Sequence, residues 1–185
     1  MQAHIIGALL ALTFTLSTAI GLTHAGVRTY ASKDEILEVA FPGAEIWERT
    51  VEITPEVHKE IETLIKGRFF KKRVSFYIAG KGGERLGYAA VANEVGKTRN
   101  ITFMVVLDRE GAVKSVDIMA FRESQGYEIE NPRWRRQFKG KTIKDPLRLK
   151  RDISSISGAT MSARAVTKGV KRVLAVFQAV RPMLE

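Results

Sequence analysis

The sequence predicts an α+β fold, an antiparallel sheet meander packed with helices and closed by a C-terminal helix. Two observations carry this. From Val74 to Ile118 apolar residues recur at period two, in runs separated by Gly-containing turns. Near the C-terminus, Val166, Val170, Val173, Leu174, Phe177 and Val180 recur at three- and four-residue spacing, one apolar stripe at helical period.

The elements follow in order. Ser32-Lys33-Asp34-Glu35 has the capping-box pattern and opens a short helix through Ile36, Leu37, Val39 and Ala40, which Pro42-Gly43 stops. Residues 45–53 read as a strand with Ile46 and Val51 among polar neighbours. Thr54-Pro55-Glu56 starts a second helix, with Pro at the first helical position. Val57, Ile61, Leu64 and Ile65 form its buried face and Gly67 ends it. Val74, Phe76 and Ile78 then alternate with polar residues, and Lys81-Gly82-Gly83-Glu84 turns the chain into Leu86, Tyr88 and Ala90. Residues 101–107 form an apolar strand, expected to be buried on both faces. Asp108-Arg109-Glu110-Gly111 turns it back into Val113, Val116 and Ile118. A loop covers residues 122–130. Asn131-Pro132 caps a short helix with Trp134 and Phe138, closed by Gly140, and residues 141–153 read as a basic loop or short strand.

Composition bounds the chemistry. With 185 residues there is enough chain for one domain with a real core, placed at residues 26–185. There is no cysteine, which removes disulfides, iron–sulfur clusters and thiolate metal sites. The histidines, His4, His24 and His58, are scattered, so redox chemistry would need an organic cofactor; no metal site is expected. The net charge of +10 is densest at Arg133, Arg135, Arg136, Lys139, Lys141, Lys144, Arg148, Lys150 and Arg151. Such a run is usually a solvated face; its functional readings are a phosphate site, an acidic partner, a membrane surface or nucleic acid. Only Trp134 and Phe138 interleave with these charges, so nucleic acid is not expected. Residues 5–22 are apolar or small and Thr23-His24-Ala25 has a small-x-small pattern. Residues 1–25 are therefore expected to be a signal peptide or an N-terminal membrane anchor, with the folded part in the periplasm or another extracytoplasmic space.

One stretch near the C-terminus organises the rest. Ser157, Gly158 and Ala159 lead into the hydroxyl of Thr160, at or next to the start of the last helix. Free backbone N–H groups and the positive end of the helix dipole meet there, and an anion such as phosphate is stabilised. The alternative is an ordinary Thr or Ser N-cap reached through a tight Gly turn.

Several segments occur in a recognisable order. They are Gly87-Tyr88-Ala89-Ala90, Ile101-Thr102-Phe103-Met104-Val105-Val106-Leu107-Asp108, Phe121-Arg122-Glu123-Ser124-Gln125-Gly126, Trp134, Gln137-Phe138-Lys139-Gly140-Lys141 and Ser157-Gly158-Ala159-Thr160. Over roughly residues 85 to 180 the chain resembles the FMN-binding domain family, whose best-known members are subunits of the sodium-translocating NADH:quinone reductase and of the Rnf electron transport complex. The resemblance implies that Thr160 carries FMN through a phosphoester bond. A separate magnesium-dependent flavin transferase would install it, using FAD and releasing AMP. It also implies that the loop of Glu123, Ser124 and Gly126 lines the flavin ring, with Trp134 as a neighbour. Gly158 and Ala159 keep bulk away from the acceptor hydroxyl, and Arg164 is placed to contact the phosphate. The match departs in two places. Ser154 stands six residues before Thr160 where the family usually has Asp, the nearest Asp being Asp152. The loop also lacks the family's Pro, Leu and second Gly, reading Glu123-Ser124-Gln125-Gly126-Tyr127-Glu128. Gly126 there has a second reading, a turn residue with positive φ, and Tyr127 either stacks on the flavin or is a surface tyrosine.

The function so implied is an exported electron-transfer flavoprotein. It would relay electrons between a membrane-side donor and an extracytoplasmic acceptor, a membrane redox partner or a cytochrome. No catalytic acid, base or nucleophile stands out, so the cofactor would carry the chemistry. Two alternatives stay open: a flavin-free domain docking an acidic partner through residues 133–151, and a small flavin reductase.

Overall fold

The computed structural model describes residues 28–185. The expected leader, residues 1–25, lies outside them. Strands β1 (Arg28–Thr29), β2 (Glu45–Glu52), β3 (Arg73–Lys81), β4 (Glu84–Val95), β5 (Asn100–Asp108) and β6 (Val113–Phe121) form one sheet in the order β1-β6-β5-β4-β3-β2, every pair antiparallel. From β3 to β6 this is the expected meander, and β2, expected as a strand, joins it on the β3 edge. The two-residue β1, which has too little pattern to announce itself, pairs Arg28 with Phe121 on the β6 edge.

Helix α1 (Lys33–Ala40) begins with the expected capping box: Ser32 Oγ accepts from the Glu35 N–H at 3.2 Å and Glu35 Oε2 accepts from the Ser32 N–H at 2.7 Å. Helix α2 (Pro55–Ile65) starts behind Thr54 as expected. Its end differs. Lys66, not Gly67, takes the left-handed conformation (φ 52°), and its N–H donates to Glu62 O. Leu64 and Ile65 are half-buried, because α2 rests its Val57 and Ile61 stripe on the domain edge. The Gly82-Gly83 pair joins β3 to β4 with φ of 58° and 84°, the positive values a two-residue hairpin requires. Short helix α3 (Pro132–Arg135) runs into a 3-10 turn, Arg136–Phe138, and long helix α4 (Thr160–Val180) covers the sheet. Among the described residues no helix is long and apolar enough to cross a membrane.

Strand β5 is buried on both faces, as its apolar run predicts. Phe103, Val105 and Leu107 pack under α4 and α2, whereas Met104 and Val106 pack under α1 with Ala79 and Ala89. The α4 stripe of Val166, Val170, Val173, Leu174, Phe177 and Val180 lies wholly in the larger core. Each such side chain contributes about 1.5–3 kcal/mol relative to exposure. The β3–β4 ladder ends at Tyr77↔Ala89, and beyond it β3 stays with β2 while β4 stays with β5. The gap holds a cavity of about 290 Å³, backed by α4 and containing the Glu94–Arg172 ion pair.

Candidate functional site

The segment leading into α4 is gripped at both ends. At its start, the Trp134 indole N–H donates to Ser154 O at 2.8 Å, and Gln137 Oε1 accepts from the Ser154 N–H at 2.8 Å. Trp134 itself is buried, edge-on to Phe138. The structure therefore places Trp134 as a prop under the segment that leads into α4. At the other end, Ala159 is buried and Gly126 packs against it and Ser162. Gly126 has φ 94°, the positive value its turn reading requires. A Cβ there would come within 2.3 Å of Ser162 Oγ. Between the two grips Ser157 and Gly158 are exposed, with Gly158 at φ 78°.

Thr160 is the first residue of α4, and the N-cap is Ala159. The ordinary N-cap role left open for Thr160 is thus not the one it plays. Ala159 has no side-chain oxygen to offer, and no side-chain cap bond closes this helix start. Instead the Thr160 hydroxyl donates back to Ile156 O at 3.2 Å and lies 3.5 Å from Ser155 Oγ.

Thr160 and Ser155 line a cleft of about 930 Å³. Its walls carry Lys144, Arg148, Lys150 and Arg151 from the loop, Arg164, Lys168 and Lys171 from α4, and Lys66 from the end of α2, against one carboxylate, Asp145. Arg164, named from sequence, is thus beside the hydroxyl. Lys168 and Lys171 were not singled out, although their spacing from Thr160 and Arg164 puts them on the same helical face. Lys66 carries no sequence signal, because only tertiary folding brings α2 here. The basic stretch also divides. Arg135 is bound to Asp117 at 2.6 Å and Lys141 to Asp152 at 3.1 Å, so neither is a free surface charge.

Asp152 builds the basic loop. Its carboxylate accepts the N–H groups of Leu147 (3.0 Å) and Arg148 (2.8 Å) as well as the Lys141 ammonium. Burial alone would raise its pKa; the Arg148 N–H, Lys141 and the Leu147 N–H together outweigh that and hold it below the usual carboxylate range. Leu147 and Lys150 sit at φ 47° and 63°, strained values for such residues, which this carboxylate helps impose.

The Glu123 loop does different work. Glu123 Oε1 accepts the N–H groups of Thr98 (2.7 Å) and Arg99 (2.9 Å), and Oε2 accepts the Thr98 hydroxyl (2.9 Å). It ties the β4–β5 turn to the end of β6. Ser124 is exposed, and Tyr127 is exposed with the Arg28 guanidinium 4.7 Å above its ring. Of this loop, Gly126 packs on Ala159 and Ser162, about 200° around the helix from Thr160, and a Glu128 carboxylate oxygen lies 3.9 Å from where a Cβ on Gly158 would stand. Burial pushes the Glu123 carboxyl up, but the hydrogen bonds from Arg99 and Thr98 outweigh it and the net shift is downward. A depressed folded pKa stabilises the fold above the ordinary carboxyl range, near 4.5 for glutamate, and that stability is lost as pH falls through the folded value. Stability against urea should accordingly fall below about pH 4.5, and Glu123→Gln should show a shallower decline over that window. An identical decline in wild type and variant would contradict the assignment.

Residues 96–175 match the family model of the FMN-binding domain. This segment belongs to that family. The matched span begins at Gly96, in the turn bound by Glu123, and ends within α4, so it contains every site residue named from the sequence, though not Lys66 of the cleft. The chain is 32% identical over 104 residues to a subunit of the proton-translocating ferredoxin:NAD(+) oxidoreductase complex of Clostridium ljungdahlii, covering 52% of this chain and 56% of that one. It is 30% identical over 115 residues to a subunit of an ion-translocating oxidoreductase complex of Aliivibrio fischeri, covering 55% and 54%. The chain thus spans little more than half the length of these relatives. The crystal structure of Shewanella oneidensis NqrC shares the fold, with a TM-score of 0.55 over 82% of this chain and 87% of that one at 17% identity.

The residues present fit the phosphate end of an FMN. A hydroxyl opens onto a cationic cleft at a helix start without a side-chain cap. A flavin held there would supply redox chemistry that the side chains of the site do not provide.

Proposed function

We propose that this protein is an exported electron carrier whose FMN is joined through a phosphoester to Thr160. The observation that carries the reading is the Thr160 hydroxyl, at the first position of α4 and lining a cleft with eight cationic side chains and one acidic one. The phosphate of a diester keeps one negative charge. Arg164, Lys168 and the loop cations are positioned to neutralise it, and the first-turn amides of α4 to receive it. Ser157, Gly158 and Ala159 present the hydroxyl on a narrow, half-exposed segment that a modifying flavin transferase can engage. Positive charge around the cofactor favours its reduced, anionic form and raises its potential.

The relatives named as subunits of ion- and proton-translocating oxidoreductase complexes support a membrane-side redox partner. Residues 1–25 support export, either as a cleaved leader or as a retained anchor. A covalent bond prevents loss of flavin by dilution outside the cytoplasm. The second reading, docking of an acidic partner without flavin, draws on the same cationic cleft.

The test is a denaturing gel viewed under ultraviolet light after co-expression with a flavin transferase. Wild type should fluoresce and Thr160→Ala should lose the band completely. A band that survives in Thr160→Ala places the flavin elsewhere, and no band in either leaves the docking reading.

A further inference from the structure

We propose that Glu128 is a cofactor-binding residue of this chain, its carboxylate accepting a hydrogen bond from a hydroxyl of the polyol chain of the flavin at Thr160. The inference rests on the functional reading above. Glu128 lies in the 3-10 turn Tyr127–Glu130, two residues after Gly126. Its Oε2 is buried without a hydrogen-bond partner, and among the described residues it is the one side-chain atom in that position. An orphaned buried acceptor is costly, more so when charged, so folded proteins leave few and each calls for an explanation. An ionised carboxylate only accepts hydrogen bonds, so the missing partner is a donor.

The position of the carboxylate says which donor. Its other oxygen lies 3.9 Å from where a Cβ on Gly158 would stand. It therefore faces the exposed bare backbone of the acceptor segment, where no side chain of residue 158 intervenes. Gly158 precedes the acceptor hydroxyl by two residues, at most about 7 Å of chain. That is the scale of a five-carbon polyol leading away from a phosphate. The cleft cations stand on the Thr160 face of α4, and the Glu128 side of the segment holds a negative group instead. A carboxylate beside a flavin opposes the added negative charge of reduction, so Glu128 lowers the potential that the cleft cations raise.

Wild type, Glu128→Ala and Glu128→Gln are loaded by co-expression with a flavin transferase and compared with their unloaded forms. Two quantities are read: the gain in melting temperature on loading, and the midpoint potential of the bound flavin. In the unloaded protein Glu128→Ala should melt no lower than wild type, because it removes an orphan. On loading it should gain less than wild type does, and its potential should move positive. Glu128→Gln keeps an accepting oxygen without the charge. It should gain as much as wild type while its potential also moves positive, and it is the variant read if the alanine variant does not load. Unchanged potentials in both variants, or an equal loss in loaded and unloaded Glu128→Ala, would overturn the proposal while leaving the flavin at Thr160. A wild-type chain that takes up no flavin beside a competent transferase would overturn the functional reading and this proposal together.

Discussion

Gly126→Ala will destabilise the domain by about 2–4 kcal/mol, the sum of a left-handed backbone penalty and an overpacking penalty. Both have a visible origin. Gly126 is held at φ 94°, where an L side chain is strained. Its new Cβ would stand 2.3 Å from Ser162 Oγ and 3.3 Å from Ser162 Cβ, and Ser162 is itself buried in the first turn of α4. The two contributions separate in a double-mutant cycle. In a Ser162→Ala background the hydroxyl is gone, so Gly126→Ala should cost about 1–2 kcal/mol less, leaving mainly the backbone penalty. Denaturant midpoints of the four proteins check this. Additive costs would mean that the loop and the helix start are not in contact. Flavin loading should fall with stability in the single variant and recover partly in the double one, since the same contact sets where the acceptor segment enters α4.

The second large effect is expected far from the chemistry. Glu94 is only 8% exposed and is paired with Arg172 of α4, beside the cavity that opens where β3 and β4 part. Arg172→Leu removes the countercharge and leaves a buried carboxylate alone, a loss on the order of 3–5 kcal/mol. Adding Glu94→Leu removes the carboxylate as well and should restore most of that stability, because an apolar pair of similar size is often neutral. Chemical unfolding at neutral pH measures both. A cost below about 1 kcal/mol for Arg172→Leu would show that water reaches Glu94 and that the pair is a surface one.

What the sequence disclosed follows from what periodicity and turn chemistry encode. The alternation around Phe103 and Leu107, the Gly82-Gly83 turn and the α4 stripe are local signals, and each appears where expected. The Ser32–Glu35 capping box appears with both bonds formed. The place of the Thr160 hydroxyl at the start of α4 was legible for the same reason, since Ser157-Gly158-Ala159-Thr160 abuts a strongly periodic helix. The surroundings of that hydroxyl were not. The cleft is assembled from Lys66, a loop folded on Asp152 and one face of α4, which tertiary folding brings together from three distant segments. Nor does a pattern of residue types reveal that Ala159 rather than Thr160 would cap α4, or that Lys66 would take the left-handed position expected of Gly67. Those outcomes depend on which backbone the packing selects. Glu128 is the extreme case: in sequence it is one more charged loop residue, and only its orphaned oxygen marks it out.

The central claim is that this chain bears a flavin at one hydroxyl. Intact-mass spectrometry of the mature protein, made alongside a flavin transferase and followed by peptide mapping, tests it most directly. The account predicts an added mass of FMN less one water, carried entirely by the peptide containing Thr160 and missing from Thr160→Ala. An unmodified mass, or the same addition on any other residue, would contradict it.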